Sequence, residues 1–101
     1  MAQSLIWSRE ALEDIDDIAD FISRDSPYHA EQVVDRLLGV GDELTAHPKL
    51  GRMVPERVDP NVRERFLFSY RVIYELADEA IHILAVIHGK RLLESIDRFK
   101  S

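Results

Sequence analysis

Residues 63–74 read RERFLFSYRVIY and set three arginines, Arg63, Arg65 and Arg71, among seven apolar residues. A guanidinium stays protonated throughout the physiological range. It can hold an anion or stabilise developing negative charge, but it makes a poor base. His88, farther along, has the intrinsic pKa that lets a side chain serve as acid or base. His82 stands six positions before it on the same predicted strand. That spacing puts both rings on one face but about 20 Å apart, too far to share a metal. The chain has no cysteine and no close histidine–carboxylate spacing, so neither a metal site nor a cofactor is expected. HPKLGR, residues 47–52, has a glycine and basic residues without the spacing of a phosphate loop.

The elements that must position these residues follow from periodicity. SLIW, residues 4–7, is an apolar run long enough for one strand, and Ser8 after it is a good helix N-cap with Glu10 in the first turn. Ala11, Leu12, Ile15, Ile18, Ala19 and Ile22 recur at three- and four-residue spacing with acids between them, which predicts an amphipathic helix to about Arg24 or Asp25. Ser26 and Pro27 restart the pattern as N-cap and first helical residue. The apolar face from Ala30 through Leu37 to Leu44 predicts a second helix that ends before Pro48. A break of a few residues folds the two back as an antiparallel αα-hairpin.

Residues 47–61 hold three of the four prolines and predict a connecting loop. Apolar and β-branched runs at 62–68, 70–76 and 80–88 predict three consecutive antiparallel strands. GKRLLESIDRF predicts a short C-terminal helix. The order strand, helix, helix, three strands gives a single α+β domain over residues 1–101, an antiparallel sheet packed against a helical hairpin.

At 101 residues there is room for one core. The 46% hydrophobic and 32% charged composition is that of an ordinary folded domain. The net charge of −6 is unevenly spread: residues 1–50 carry 4 basic against 11 acidic side chains, and residues 51–101 carry 9 against 8. A protein that coats nucleic acid is usually basic overall, so any such contact has to use a local basic patch in the second half. MAQSLIWSREAL lacks the pattern of a signal peptide, and no apolar run approaches the ~20 residues of a membrane span. Together with the missing thiols this predicts a cytoplasmic protein with no membrane partner.

Alternation places Arg63, Arg65 and Leu67 on one face of their strand and Val62, Glu64, Phe66 and Phe68 on the other. A one-residue slip would exchange the faces. Arg63 and Arg65 have two readings, contact with a target or pairing with carboxylates of the acidic helices. His88 likewise divides between local hydrogen bonding and function. His82 reads as a solvent-facing residue, and Trp7, Tyr70 and Tyr74 read as core.

WSREALEDIDDIADFI, HPKLGRMVPE, RERFLFSYRVIYEL and ILAVIHGKR, in that order and at this length, resemble the ParE/RelE superfamily, the toxin halves of bacterial toxin–antitoxin pairs. The resemblance spans nearly the whole chain and implies a β-α-α-β-β-β fold. It also implies a hetero-oligomer with a co-encoded antitoxin, ParD-like or another small DNA-binding type, whose C-terminal segment wraps the toxin. So small a domain should then leave an apolar groove for that segment, burying on the order of 1,000 Å² or more.

The RelE-like branch cuts messenger RNA on the ribosome, and the ParE-like branch inhibits DNA gyrase. The nuclease pattern carries over incompletely. Its arginine in the YR step matches Arg71 and its arginine after the last strand matches Arg91. Its two lysines fall on Val62 and Glu64, its tyrosine falls near Asp97, and Phe99 cannot transfer a proton. Cleavage through a 2′-hydroxyl needs a base, charge stabilisation and an acid. Arg71 and Arg91 could stabilise charge and His88 could move a proton, which makes these three the candidates if the chain is a nuclease. The wording is closer to the ParE-like branch. The reading is a toxin that acts on a protein target, gyrase, with Arg63, Arg65, Arg71, Lys90 and Arg91 as target-binding candidates. A ribosome-dependent endoribonuclease, or a degenerate toxin that only binds its antitoxin, are the alternatives.

Overall fold

The computed structural model describes residues 4–99. Strand β1 (Ser4–Trp7) leads into helix α1 (Arg9–Ser23), and helix α2 (Pro27–Ala46) follows. Then come β2 (Arg52–Met53), β3 (Val62–Leu67), β4 (Tyr70–Leu76) and β5 (Ala80–His88). The Ser8 and Ser26 hydroxyls accept from the Ala11 and His29 amides, so both predicted N-caps close their helices. The predicted C-terminal helix is two short 3₁₀ turns, Leu93–Ser95 and Asp97–Phe99.

One five-stranded sheet runs β1-β5-β4-β3-β2. The meander β3-β4-β5 is antiparallel as predicted. Two features differ from the expected all-antiparallel, four-stranded sheet. β1 pairs parallel to β5. A tight turn forces antiparallel pairing, but the helical excursion after β1 sets no such constraint. The predicted loop also contributes a short edge strand, β2, paired with β3.

The sheet has a thick face and a thin one. On the first, Val72, Tyr74, Ile81, Ile83 and Val86 pack with Ala11, Ile15, Val33, Leu37, Val40 and Leu44 of the helices. Trp7 and Tyr70 pack against the same cluster, as their sequence context predicts. On the second face Val54, Val62, Ile73, Ala85 and Ile87 pack, among the described residues, with Leu93, Ile96 and Phe99 of the C-terminal segment, together with Leu84.

A bulge in β5 decides where the histidines go. Ile73 pairs with Ala85 but Tyr74 pairs with Ile83, so Leu84 is the extra residue and the alternation changes phase there. His88 is opposite Tyr70 on the helix face, whereas His82 is opposite Glu75 on the second face. The expectation of a shared face is therefore corrected. The bulge leaves a strand amide without a ladder partner, and Asp14 of α1 accepts from it, the Val86 N–H, at 2.9 Å.

Candidate functional site

The alternation predicted for β3 is the one observed. Arg63 and Arg65 are opposite Tyr74 and Val72 on the helix face, and Glu64 is opposite Ile73 on the second face. Arg65 reaches Glu43 of α2 at 3.2 Å, which is the ion pair with a helix carboxylate that its bland reading foresees. Arg63 takes backbone instead, donating to the Pro60 and Gly51 carbonyls at 3.1 and 2.9 Å. The buried Tyr74 hydroxyl holds the same loop, donating to the Pro48 carbonyl and accepting from the Gly51 N–H, both at 2.9 Å. Burial pushes the Tyr74 pKa up. Gly51 lies against the Glu64 carbonyl and the Tyr74 ring so closely that a Cβ there would overlap backbone. Within HPKLGR, Pro48 and Gly51 are thus tied to the sheet, while His47, Lys49, Leu50 and Arg52 are exposed.

Strand position and family pattern point to Arg71 as part of an exposed face. The structure corrects this: Arg71 is 4% exposed. Its Nε donates to Glu64 Oε1 at 2.7 Å, and its Nη1 and Nη2 form a fork with the Glu56 carboxylate at 2.9 and 2.8 Å. Nη1 also donates to the Arg91 carbonyl at 2.9 Å. Glu64, whose side chain is fully buried, accepts a second cation through Arg52 Nε at 2.6 Å. The hydrogen bonds from Arg71 hold the Glu56 carboxyl at about 2, against an ordinary 4.5, although burial pulls the other way. The same bonds to Glu56, then those to Glu64, push the Arg71 pKa up.

Two carboxylates and the Arg71 guanidinium therefore meet inside the thin face, with the exposed Arg52 reaching Glu64 from outside. Their chemistry is structural. Glu56 also accepts from the Leu93 N–H at 3.1 Å, so the cluster grips residues 91–93 at both a carbonyl and an amide. It latches the C-terminal segment onto the sheet. Farther along, Arg98 forms a fork with Asp14 at 2.8 and 3.0 Å, and Arg57 donates to the Phe99 carbonyl at 2.8 Å.

The latch leaves the side chains of Lys90, Arg91 and Leu92 pointing to solvent. His88 is exposed as well, edge-on to Tyr70 at 6.3 Å, with Nδ1 accepting from the Lys90 N–H at 3.3 Å. Of the sequence-derived candidates, then, His88, Lys90 and Arg91 are exposed at one end of the sheet, Arg71 is buried with a bond to the Arg91 carbonyl, and Arg63 and Arg65 are engaged on the helix face. Sequence reasoning missed Glu56, Glu64 and Arg52. The signal was present for Glu64, since a carboxylate alternating with Val62 on a buried face has to be paired. Among the described residues no group of histidine and carboxylate side chains could hold a metal ion, and no helix is long and apolar enough to cross a membrane.

The geometry can be set beside known proteins. A family model described as the ParE toxin of the type II toxin–antitoxin system, parDE, matches residues 5–93. Toxin RelE2 of Caulobacter vibrioides is 33% identical over 93 residues, which cover 91% of this chain and 100% of that protein. The chromosomal ParDE system from P. aeruginosa superposes with a TM-score of 0.74 at 24% identity, over 88% of this chain and 98% of that one. The toxin–antitoxin complex RelBE2 from Mycobacterium tuberculosis gives 0.56 at 20%, over 87% and 99%. At those identities the two structures speak for the fold alone. The sequence match reaches from β1 into the latched C-terminal segment, and with it the chain belongs to the ParE toxin family of type II toxin–antitoxin systems.

Proposed function

We propose that this toxin inhibits growth by binding a protein target, DNA gyrase, rather than by cutting RNA, and that a co-encoded antitoxin neutralises it. The observation that carries the reading is the state of Arg71. At the position where the nuclease branch uses an arginine, the guanidinium is closed between Glu56 and Glu64 and has no donor aimed at solvent chemistry. The two lysine positions of that branch hold Val62 and Glu64, both buried. What remains exposed, Lys90, Arg91 and His88, can bind an anionic surface but does not assemble a base, a charge clamp and an acid around one phosphate.

An antitoxin partner is supported by the family and by the apolar surface left on the helical hairpin, where Leu12, Phe21 and Leu38 are exposed. A segment lying on them stabilises the native state by mass action. The toxin alone should therefore melt below the co-purified pair.

The test uses purified gyrase and a purified translation system side by side. The proposal expects loss of supercoiling activity with translation untouched, and filamentation with a DNA-damage response on induction in cells. Codon-positioned messenger cuts with intact gyrase activity would replace it with the ribosome-dependent nuclease. Normal growth on induction would leave a protein that only binds antitoxin.

A further inference from the structure

The β3–β4 hairpin turns through two residues, Phe68 and Ser69, between the paired Leu67 and Tyr70. Phe68 has φ 54°, the only positive φ among the described residues. A positive φ at the first loop residue and not at the second is the sign pattern of the hairpin turn that takes glycine in its first place. A phenylalanine there strains the backbone. It does not recover that cost by burial, because Phe68 is 57% exposed. The fold alone would place glycine or asparagine at this position.

Cations flank Phe68 on both sides, with Asp35 the one acid among the described residues of the adjoining cleft. Arg36 of α2 lies over its ring, 5.4 Å from the centroid. On the other side, Ser69 accepts from the Gly89 N–H at 2.7 Å, which ties the turn to the residue before Lys90 and Arg91. Among the described residues Arg36, Lys90 and Arg91 make no ion pair. Beyond Gly89, the exposed Phe66 carries Arg52 over its ring at 5.4 Å. Between Phe68 and α2 a cleft of about 420 Å³ opens, lined by His29, Gln32, Val33, Asp35 and Arg36. In a chain of net charge −6, this end of the sheet is basic and aromatic, while the acidic stripe lies on α1.

We propose that this end is the surface with which the toxin grips its protein target, that Phe68 is its apolar anchor, and that the occupant is an acidic segment carrying an apolar side chain. The inference deepens the reading above and rests on it. Charge complementarity selects an acidic occupant. The net charge of −6 favours a protein occupant over nucleic acid, whose phosphates the acidic remainder of the chain would repel. Arg36, beside Phe68 and without an ion pair among the described residues, is placed to offer its donors to a carboxylate. An aromatic anchor beside arginine is also the composition of an interface hot spot.

The decisive variant is Phe68→Gly in the full chain, because it relieves the turn while deleting the anchor. Its Tm is expected to be equal to or above that of the parent, its affinity for the antitoxin within about twofold, and its growth inhibition at least tenfold weaker. A labelled peptide of alternating glutamate and leucine serves as probe against a 15-residue single-stranded RNA, and Phe68→Gly is expected to lose the peptide. Lys90→Glu leaves the turn untouched and should lose the same activities, which keeps the test decisive if Phe68→Gly folds poorly. Full toxicity in both variants overturns the proposal. So does a parallel loss of antitoxin binding, which would make this end the antitoxin's seat, or preference for the RNA. If the parent chain does not inhibit growth, the reading of a toxin on a protein target fails, and the peptide arm still tests the surface.

Discussion

The two faces of the sheet are built from different physics. The face under the helices is closed by apolar and aromatic side chains, with Leu37, Leu44, Tyr74, Ile81 and Ile83 fully buried. That kind of burial exchanges no protons, so it does not follow pH. The face under the C-terminal segment has few apolar contacts and is clasped at one end by Arg71, Glu56 and Glu64, and at the other by Arg98 and Asp14. A thin apolar layer cannot hold 3₁₀ turns in place by itself, because the segment has little internal hydrogen bonding to contribute. The charged clasp supplies what the apolar layer lacks. It also makes this face responsive to conditions that the other face ignores.

The largest effect that would break this comparison is expected from Arg71→Met. The fully buried Glu64 keeps only Arg52, Glu56 loses its counter-ion, and the Arg91 carbonyl loses its donor. Removing one partner of a buried pair costs about 3–5 kcal/mol, which lowers the Tm of a domain this size by more than ~12 °C. Leu37→Ala, on the other face, should cost a similar ~2–5 kcal/mol. Hydrogen exchange tells them apart. Arg71→Met should deprotect the Leu93 and Ile96 amides first, whereas Leu37→Ala should lower protection across the sheet together. Uniform loss in both variants would mean that the thin face is not a separate unit.

Acid separates the faces next. The folded-state pKa of Glu56 is depressed from 4.5 to about 2. A depressed carboxyl stabilises the fold fully above its unfolded value, and that contribution is lost as pH falls from about 4.5 through about 2. The loss should reach roughly 2–3 kcal/mol at the acid end. It should appear in urea melts between pH 5 and 2.5 as a falling midpoint. Glu56→Gln should be less stable at neutral pH and show a flatter slope. An unchanged slope in that variant would remove Glu56 from the latch.

How much of this was legible in the sequence follows the same division. The helices, their serine caps, the three-strand meander and the faces of β3 all follow from period and capping, because each is decided within a few neighbours. The parallel β1 and the short β2 were not legible, since both depend on where a distant strand edge lies. Nor was the phase change in β5, where Ile83, Leu84, Ala85 and Val86 are all apolar and nothing marks the extra residue. Arg71 is the instructive case. Pattern matching draws attention to it, yet its environment is made by Glu56 from a loop 15 residues away, and no local rule places that carboxylate. Glu64, by contrast, was readable as a buried charge in need of a partner.

A smaller effect tests the loop on the thick face. Tyr74→Phe removes the hydroxyl that serves Gly51 and Pro48 and leaves a buried amide and a carbonyl short of a partner. The expected cost is about 1–3 kcal/mol, with faster exchange at the Gly51 amide. Arg65→Ala should cost no more than ~1 kcal/mol, because its pair with Glu43 is partly exposed.

The smallest effect on stability should come from the residues nearest the proposed target surface. Arg91 serves the fold through its main chain, where its carbonyl accepts from Arg71, and alanine keeps that carbonyl. Lys90 likewise contributes its amide, donated to His88. Lys90→Ala and Arg91→Ala should therefore each change stability by only ~0–1 kcal/mol, while growth inhibition falls markedly. Adjacent arginines of one family pattern thus separate: Arg71 is expected to lose toxicity and fold together, and Arg91 to lose toxicity alone. Growth assays set beside thermal melts read the difference directly. If Arg91→Ala melts as low as Arg71→Met, its side chain belongs to the latch, and the exposed end of the sheet has to be rebuilt around Lys90 and Phe68. If it melts normally and stays toxic, the target surface lies elsewhere, and the basic end of the sheet is a solvated rim.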